Sequence, residues 1–161
     1  MAYGERATVR RVREALEARG VEARIVELEK TARSAKEAAE ALGVRVEQIV
    51  KSLVFRASKS GRPVLVVASG PNRVDEGRIS ALLSEPIEKA DANFVREKTG
   101  FAIGGVPPVA HAKEPVAFVD EALLREDEVW AAAGHTHAVF PLAPEDLVRI
   151  TGGQVISVGG L

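Results

Sequence analysis

With 161 residues, a net charge of −1, no cysteine and only 4% aromatic residues, the chain has the size of one domain able to bury about two-thirds of its unfolded surface. The missing thiols exclude disulfides, thiolate metal sites and cysteine nucleophiles. The near-zero charge excludes a strong overall field for capturing polyanions, and so few aromatics argue against a stacking platform for single strands. No apolar run approaches a membrane span, and Arg6, Arg10, Arg11 and Arg13 interrupt the N-terminus. The expectation is one soluble, cytoplasmic domain over residues 1–161, with no membrane and no DNA partner.

In chain order, Val9, Val12 and Leu16 lie on one face of a helix from about Thr8 to Arg19, stopped by Gly20. A strand is expected around Arg24–Leu28. Ser34 and Glu37 have the spacing of a capping box and open a helix that Gly43 ends. Val46, Ile49 and Val50 then form a short apolar face leading into a buried strand at Leu53–Arg56. Ser58–Arg62 reads as a turn. Val64–Ala68 is continuously apolar and β-branched, the pattern of a central strand covered on both faces. Helical spacing follows over Asp75–Leu83, and Asp91 caps a further helix ending at Gly100. Strands are expected at Val116–Val119, Glu128–Ala132, Ala138–Leu142 and Gln154–Val158, with Pro144 starting a helix before the last. Strands outnumber long helices without a βαβ alternation. The fold class is therefore α+β, a mixed, curved sheet flanked by helices.

Lys51 is the residue that this pattern explains least. It sits in Gln48-Ile49-Val50-Lys51-Ser52-Leu53-Val54-Phe55, where flanking core residues take its ammonium out of water unless it meets an anion. Two readings stand: the stem packs while the head reaches water, or the cation serves a site. The first 62 residues carry a basic surplus and the remainder an acidic one. A local basic face or an ordinary solvated helix surface accounts for that equally.

Gly104-Gly105-Val106-Pro107-Pro108 is neither helix nor central strand, because two prolines lack amide donors and two glycines free the backbone. It is either a tight connector or a rigid loop that aims backbone N–H groups at developing charge. His135-Thr136-His137 would place two imidazoles on one strand face, with His111 or Asp120 as a third ligand to a metal. The alternative is a turn histidine at 135 and a pocket histidine at 137, which precedes Ala138-Val139-Phe140. No serine lies in a nucleophile elbow, so covalent catalysis is disfavoured.

In combination, Ser34-x-x-Glu37-Ala38-Ala39-x-x-Leu42-Gly43, the Gln48–Phe55 segment, the Gly104–Pro108 loop and Gly134 ahead of Ala138-Val139-Phe140 resemble the YbaK/ProX family. Its members are free-standing relatives of the editing domain inserted in bacterial prolyl-tRNA synthetases, and the likeness runs through nearly the whole chain. The resemblance implies hydrolysis in trans of a mischarged aminoacyl-tRNA, with water attacking the ester. It implies no cofactor and no metal, a tRNA acceptor end as partner, and prolyl-tRNA synthetase as a further one. In those terms Lys51 stays charged and grips a phosphate or ester oxygen. Gly104 and Pro108 are the ends of the catalytic Gly-x-x-x-Pro loop, and Ser52, Ile103, Gly105, Val106, Gly134 and His137 border the substrate. Pro107-Pro108-Val109-Ala110-His111 departs from the serine-containing version expected of the cysteinyl-tRNA(Pro) deacylase branch, which leaves alanine, 2-aminobutyrate, serine, threonine and cysteine open as the edited residue. The alternative function is a non-catalytic module binding the acceptor end or a synthetase.

Overall fold

The computed structural model describes residues 5–30, 32 and 34–160. Its centre is a five-stranded mixed sheet of β2 (Val50–Ala57), β3 (Pro63–Ser69), β5 (Ile87–Lys89), β6 (Val116–Asp120) and β9 (Gln154–Ile156), in the order β5-β2-β3-β6-β9. β3 is antiparallel to β2, β6 runs parallel to β3, and β9 runs parallel to β6. A second, antiparallel sheet holds β1 (Val26–Glu27), β7 (Val129–His135) and β8 (Ala138–Leu142), and β4 (Arg73–Val74) pairs with β10 (Gly159–Gly160). The expected α+β class with a mixed sheet holds, and the strands near the C-terminus divide between two sheets.

The run at 64–68 behaves as its composition demands. Every residue of β3 is buried, and its side chains feed two cores because successive residues face opposite ways. Leu65 and Val67 pack with Val9, Val12 and Leu16 of α1 (Ala7–Ala18) and with Phe140 of β8. Val64, Val66 and Ala68 pack with Ile79 of α3 (Glu76–Leu83) and Phe118. Caps act where the sequence puts them. Ser34 Oγ accepts from the Glu37 amide at 3.1 Å at the start of α2 (Ala35–Leu42), and Asp91 caps α4 (Ala92–Thr99) through the Phe94 amide at 2.8 Å. α5 (Pro144–Thr151) begins at its proline.

Two features position the site. The strand expected at Leu53–Arg56 starts earlier, at Val50, so Lys51 lies inside β2 opposite Ala68. Moreover, β5 pairs with β2 only from Phe55 to Ala57, which leaves Val50–Val54 with a ladder partner on one side. Short β4, β5 and β10 were not legible in the sequence, since two- and three-residue strands carry no period of their own.

Candidate functional site

Lys51 is partly buried, and its Nζ donates to the Asn72 carbonyl at 2.5 Å. The turn presenting that carbonyl is pinned from below by Asp120, which is 1% exposed. One Asp120 oxygen accepts from the Ser69 amide at 3.0 Å and from Asn72 Nδ2 at 2.9 Å, and the other accepts from the Ala122 amide at 2.9 Å. A buried carboxylate with three donors is a stable anchor, and here it fixes the lysine through an intervening backbone. Burial lowers the Lys51 pKa from its ordinary value, the neighbouring Arg73 lowers it further, and Asp120 works in the opposite direction.

Across from Lys51 runs the glycine-proline loop. Gly104 has φ +90°, and a Cβ on Gly105 would come within 2.9 Å of His135 Cα and 3.0 Å of His135 N. The loop thus rests backbone to backbone on the end of β7, an approach that only glycine permits. Its flanks are clamped: Arg11 donates to the Gly100 and Ala110 carbonyls, both at 3.4 Å, and lies 4.6 Å from the Phe101 ring centroid. His111 Nε2 donates to the Pro107 carbonyl at 2.6 Å. Within this frame the Gly105 amide closes a turn onto Ala102, whereas the amides of Ile103 and Gly104 donate to no described residue. Ile103 is 58% exposed.

Lys51 and this loop meet where two cavities join. Lys51, Ser52, Leu53, Ile103, Gly104 and Val106 line both. One cavity, of about 320 Å³, has small and apolar walls: alanines 35, 38, 131, 132 and 138, with Ile49, Val139 and Trp130, and His135 at its edge. The other, of about 460 Å³, has an apolar floor including Val54 and Val95 and carries Arg73, Glu76 and Lys89. Both fall in the size range of ligand sites. The open edge of β2 lies between them.

The structure brings together Lys51, Ser52, Ile103, Gly104 and Val106. Gly105 supports them from beneath. Pro108 lies elsewhere, on a separate cavity of about 230 Å³ with His111. Gly134 packs under α1: at φ +96°, a Cβ there would sit 2.7 Å from the Thr8 carbonyl oxygen. Of the two histidines, His135 lines the smaller cavity and His137 does not. The His137 amide donates to His135 Nδ1 at 3.1 Å, so neutral His135 bears its hydrogen on Nε2. Burial lowers the His135 pKa, as do Arg6 and His137, with Glu27 opposing. The two rings are 5.1 Å apart, yet no group of three or more His, Asp or Glu among the described residues is arranged to hold a metal. Sequence reasoning missed Trp130, Arg73 and Lys89, none of which belongs to a local motif, and it read His135 as a metal ligand or turn residue and Asp120 as a possible third ligand, not as cavity wall and anchor. Trp130 Nε1 and Ser52 Oγ are buried without a hydrogen-bond partner, at a cost that calls for an explanation.

Fold and site together define an α+β domain whose cleft offers a partly buried cation, two exposed ones at Arg73 and Lys89, and loop amides that donate to no described residue, equipment suited to an ester or a phosphate. Residues 29–150 match the family model of the aminoacyl-tRNA editing domain, and the chain belongs to that family. A solved structure described as a candidate trans-editing enzyme for prolyl-tRNA synthetase superimposes with a TM-score of 0.91 at 46% identity, over 98% of this chain and 99% of that one. The uncharacterised protein YwhH of Bacillus subtilis (strain 168) is 29% identical over 81% of this chain and 83% of its own length. EbsC of Enterococcus faecalis (strain ATCC 700802 / V583), named as a candidate Cys-tRNA(Pro)/Cys-tRNA(Cys) deacylase, is 28% identical over 69% of this chain and 68% of its own. No helix among the described residues is long and apolar enough to cross a membrane.

Proposed function

We propose that the protein is a cytoplasmic trans-editing hydrolase that deacylates mischarged tRNA, tRNA(Pro) first among the candidates. The observation that carries this is the convergence of Lys51 and the undonated Ile103 and Gly104 amides on the junction of two cavities. An ester joining an amino acid to a ribose has two unlike halves, and the junction suits the bond between them. The smaller, alanine-walled cavity takes the amino-acid side chain, and the larger takes the terminal nucleoside.

Water attacks the ester carbonyl carbon, and the charge that develops on the carbonyl oxygen meets loop amides already held in place. The bond to the ribose oxygen then breaks. That oxygen recovers the proton given up by the attacking water, relayed by the neighbouring ribose hydroxyl, and free amino acid and uncharged tRNA leave. Lys51 grips a phosphate or ester oxygen as an ammonium and forms no covalent bond. His135, through Nε2–H, orients the aminoacyl group. Pro108 acts on the loop from behind, and His137 acts by fixing the His135 tautomer. The small, largely apolar walls of the smaller cavity suit a small amino-acid side chain, and alanine, 2-aminobutyrate, serine, threonine and cysteine all stay candidates.

The test is a deacylation panel of tRNA(Pro) and tRNA(Ala) charged with Ala, Cys, Ser, Thr, Pro and 2-aminobutyrate. Hydrolysis of at least one ester of a small amino acid is expected. Binding of every tRNA with hydrolysis of none leaves the protein a binding module and ends the enzymatic reading.

A further inference from the structure

We infer that Arg73 and Lys89 form a phosphodiester-binding strip along the rim of the 460 Å³ cavity, holding the ribose-phosphate backbone of the nucleotides that precede the acylated end. This rests on the editing reading above and adds to it the path by which the RNA leaves the site. The first observation is that these two cations, like some other surface cations, have no carboxylate partner among the described residues. Arg13, Arg24, Arg45, Arg56, Arg62 and Arg149 each face a carboxylate. The side chains of Arg73 and Lys89 are exposed and make no hydrogen bond or ion pair with any described residue.

The second observation is where these unpaired cations point their charge. Together with Lys51 they line one cavity, whose described walls hold a single carboxylate, Glu76. Three like charges around one concave surface repel one another, and the focused positive potential attracts an anion that runs past all three. The pKa of Lys51 is lowered partly by Arg73, so the two cations already sense each other. A phosphodiester between them turns that repulsion into shared attraction. The third observation is continuity. Arg73 follows Asn72, whose carbonyl holds Lys51 and whose side chain is tied to Asp120, so a phosphate on Arg73 is referenced to the same anchored turn as the reacting end. Arg73 also has the planar fork that takes two phosphate oxygens at once.

The loop amides serve the ester carbonyl and the apolar floor serves the terminal nucleoside, whereas the exposed strip serves charge alone. Arg73→Ala, Lys89→Ala and the double variant therefore separate the two. The first readout is fluorescence anisotropy of a single-stranded RNA ending in CCA across a salt series, which needs no hydrolysis. The double variant is expected to bind about tenfold or more weakly at low salt, with the slope of log K against log salt reduced by about 1.4, close to 0.7 per lost contact. The second readout compares kcat/KM on charged tRNA with that on aminoacyl-adenosine, which has no phosphate; the loss is expected on tRNA alone. An unchanged salt slope, or equal losses on both substrates, overturns the strip even while wild-type deacylation persists. Conversely, a wild-type protein that hydrolyses no ester but loses RNA affinity and slope in the double variant ends the deacylase reading and keeps the strip.

Discussion

At Ile103 and Gly104 the loop after α4 stands exposed with its amides unspent, while from Val106 to Val109 the same loop is buried throughout and held by His111 and Arg11. The two ends differ in sequence as they differ in use. Glycine lets the front end lie flat on the His135 backbone, and its Ile103 and Gly104 amides donate to no described residue. The prolines behind have no amide to satisfy, so their burial strands no backbone donor, and the Pro107 carbonyl is met by His111. A loop built this way is rigid because of its back and reactive because of its front. What marks the front end is thus the pairing of exposed loop amides that donate to no described residue with a partly buried cation.

The sharpest way to break this comparison is at the cation facing the front end. Lys51→Ala is expected to slow single-turnover deacylation by roughly 100–1000-fold, the scale of losing one preorganised charge-stabilising group, while thermal unfolding stays cooperative and close to wild type. Wild-type rates in that variant remove Lys51 from the mechanism. Gly134→Ala addresses support instead of chemistry. A methyl in the left-handed region and against the Thr8 carbonyl is expected to cost about 2–4 kcal/mol in denaturant unfolding, and a neutral result means that α1 is free to shift.

Gly105→Ala lifts the front of the loop from the His135 backbone. Displacements of that order cost about 10–100-fold in rate, so kcat should fall more than stability does. A loss of stability alone assigns the glycine to packing. The smallest effect concerns the back. Burial depresses the His111 pKa, against the opposing bond to Pro107, so the unfolded chain takes up this proton before the folded one. Stability from this group is therefore full above about pH 6.5 and is lost as the pH falls from there through the folded value, with a slope of at most about 1.4 kcal/mol per pH unit. His111→Gln keeps a donor for Pro107 but cannot titrate. Unfolding midpoints at pH 7.5 and 5.5 should lie closer together in the variant, and an equal spacing removes His111 as the source.

Local signals were read correctly where a few neighbours decide the outcome. The capping Ser34 and Asp91, the helix stops at Gly43 and Gly100, and the all-buried strand at 64–68 follow from hydrogen-bonding capacity and side-chain period within one segment. Lys51 and the Gly104 loop were also visible, because a cation among core residues and a Gly-Gly-x-Pro-Pro run each violate the local rule. The histidines were a different matter. Two residues apart on a regular strand they would share a face, but a register shift between Ala132 and His135 breaks the ladder just there, and only His135 reaches the cavity.

By itself, then, the sequence determined the α+β class, most elements, the family, and the lysine and loop that belong together, since these depend on local chemistry or on motifs held in order along the chain. The tertiary structure alone decided that Lys51 is held by Asn72 and Asp120, that Arg73 and Lys89 share its cavity, that Pro108 faces away, and that His135 replaces His137 at the wall. Each of these brings together strands far apart in the chain. The contacts are set by sheet register and close backbone approach, which no single segment encodes.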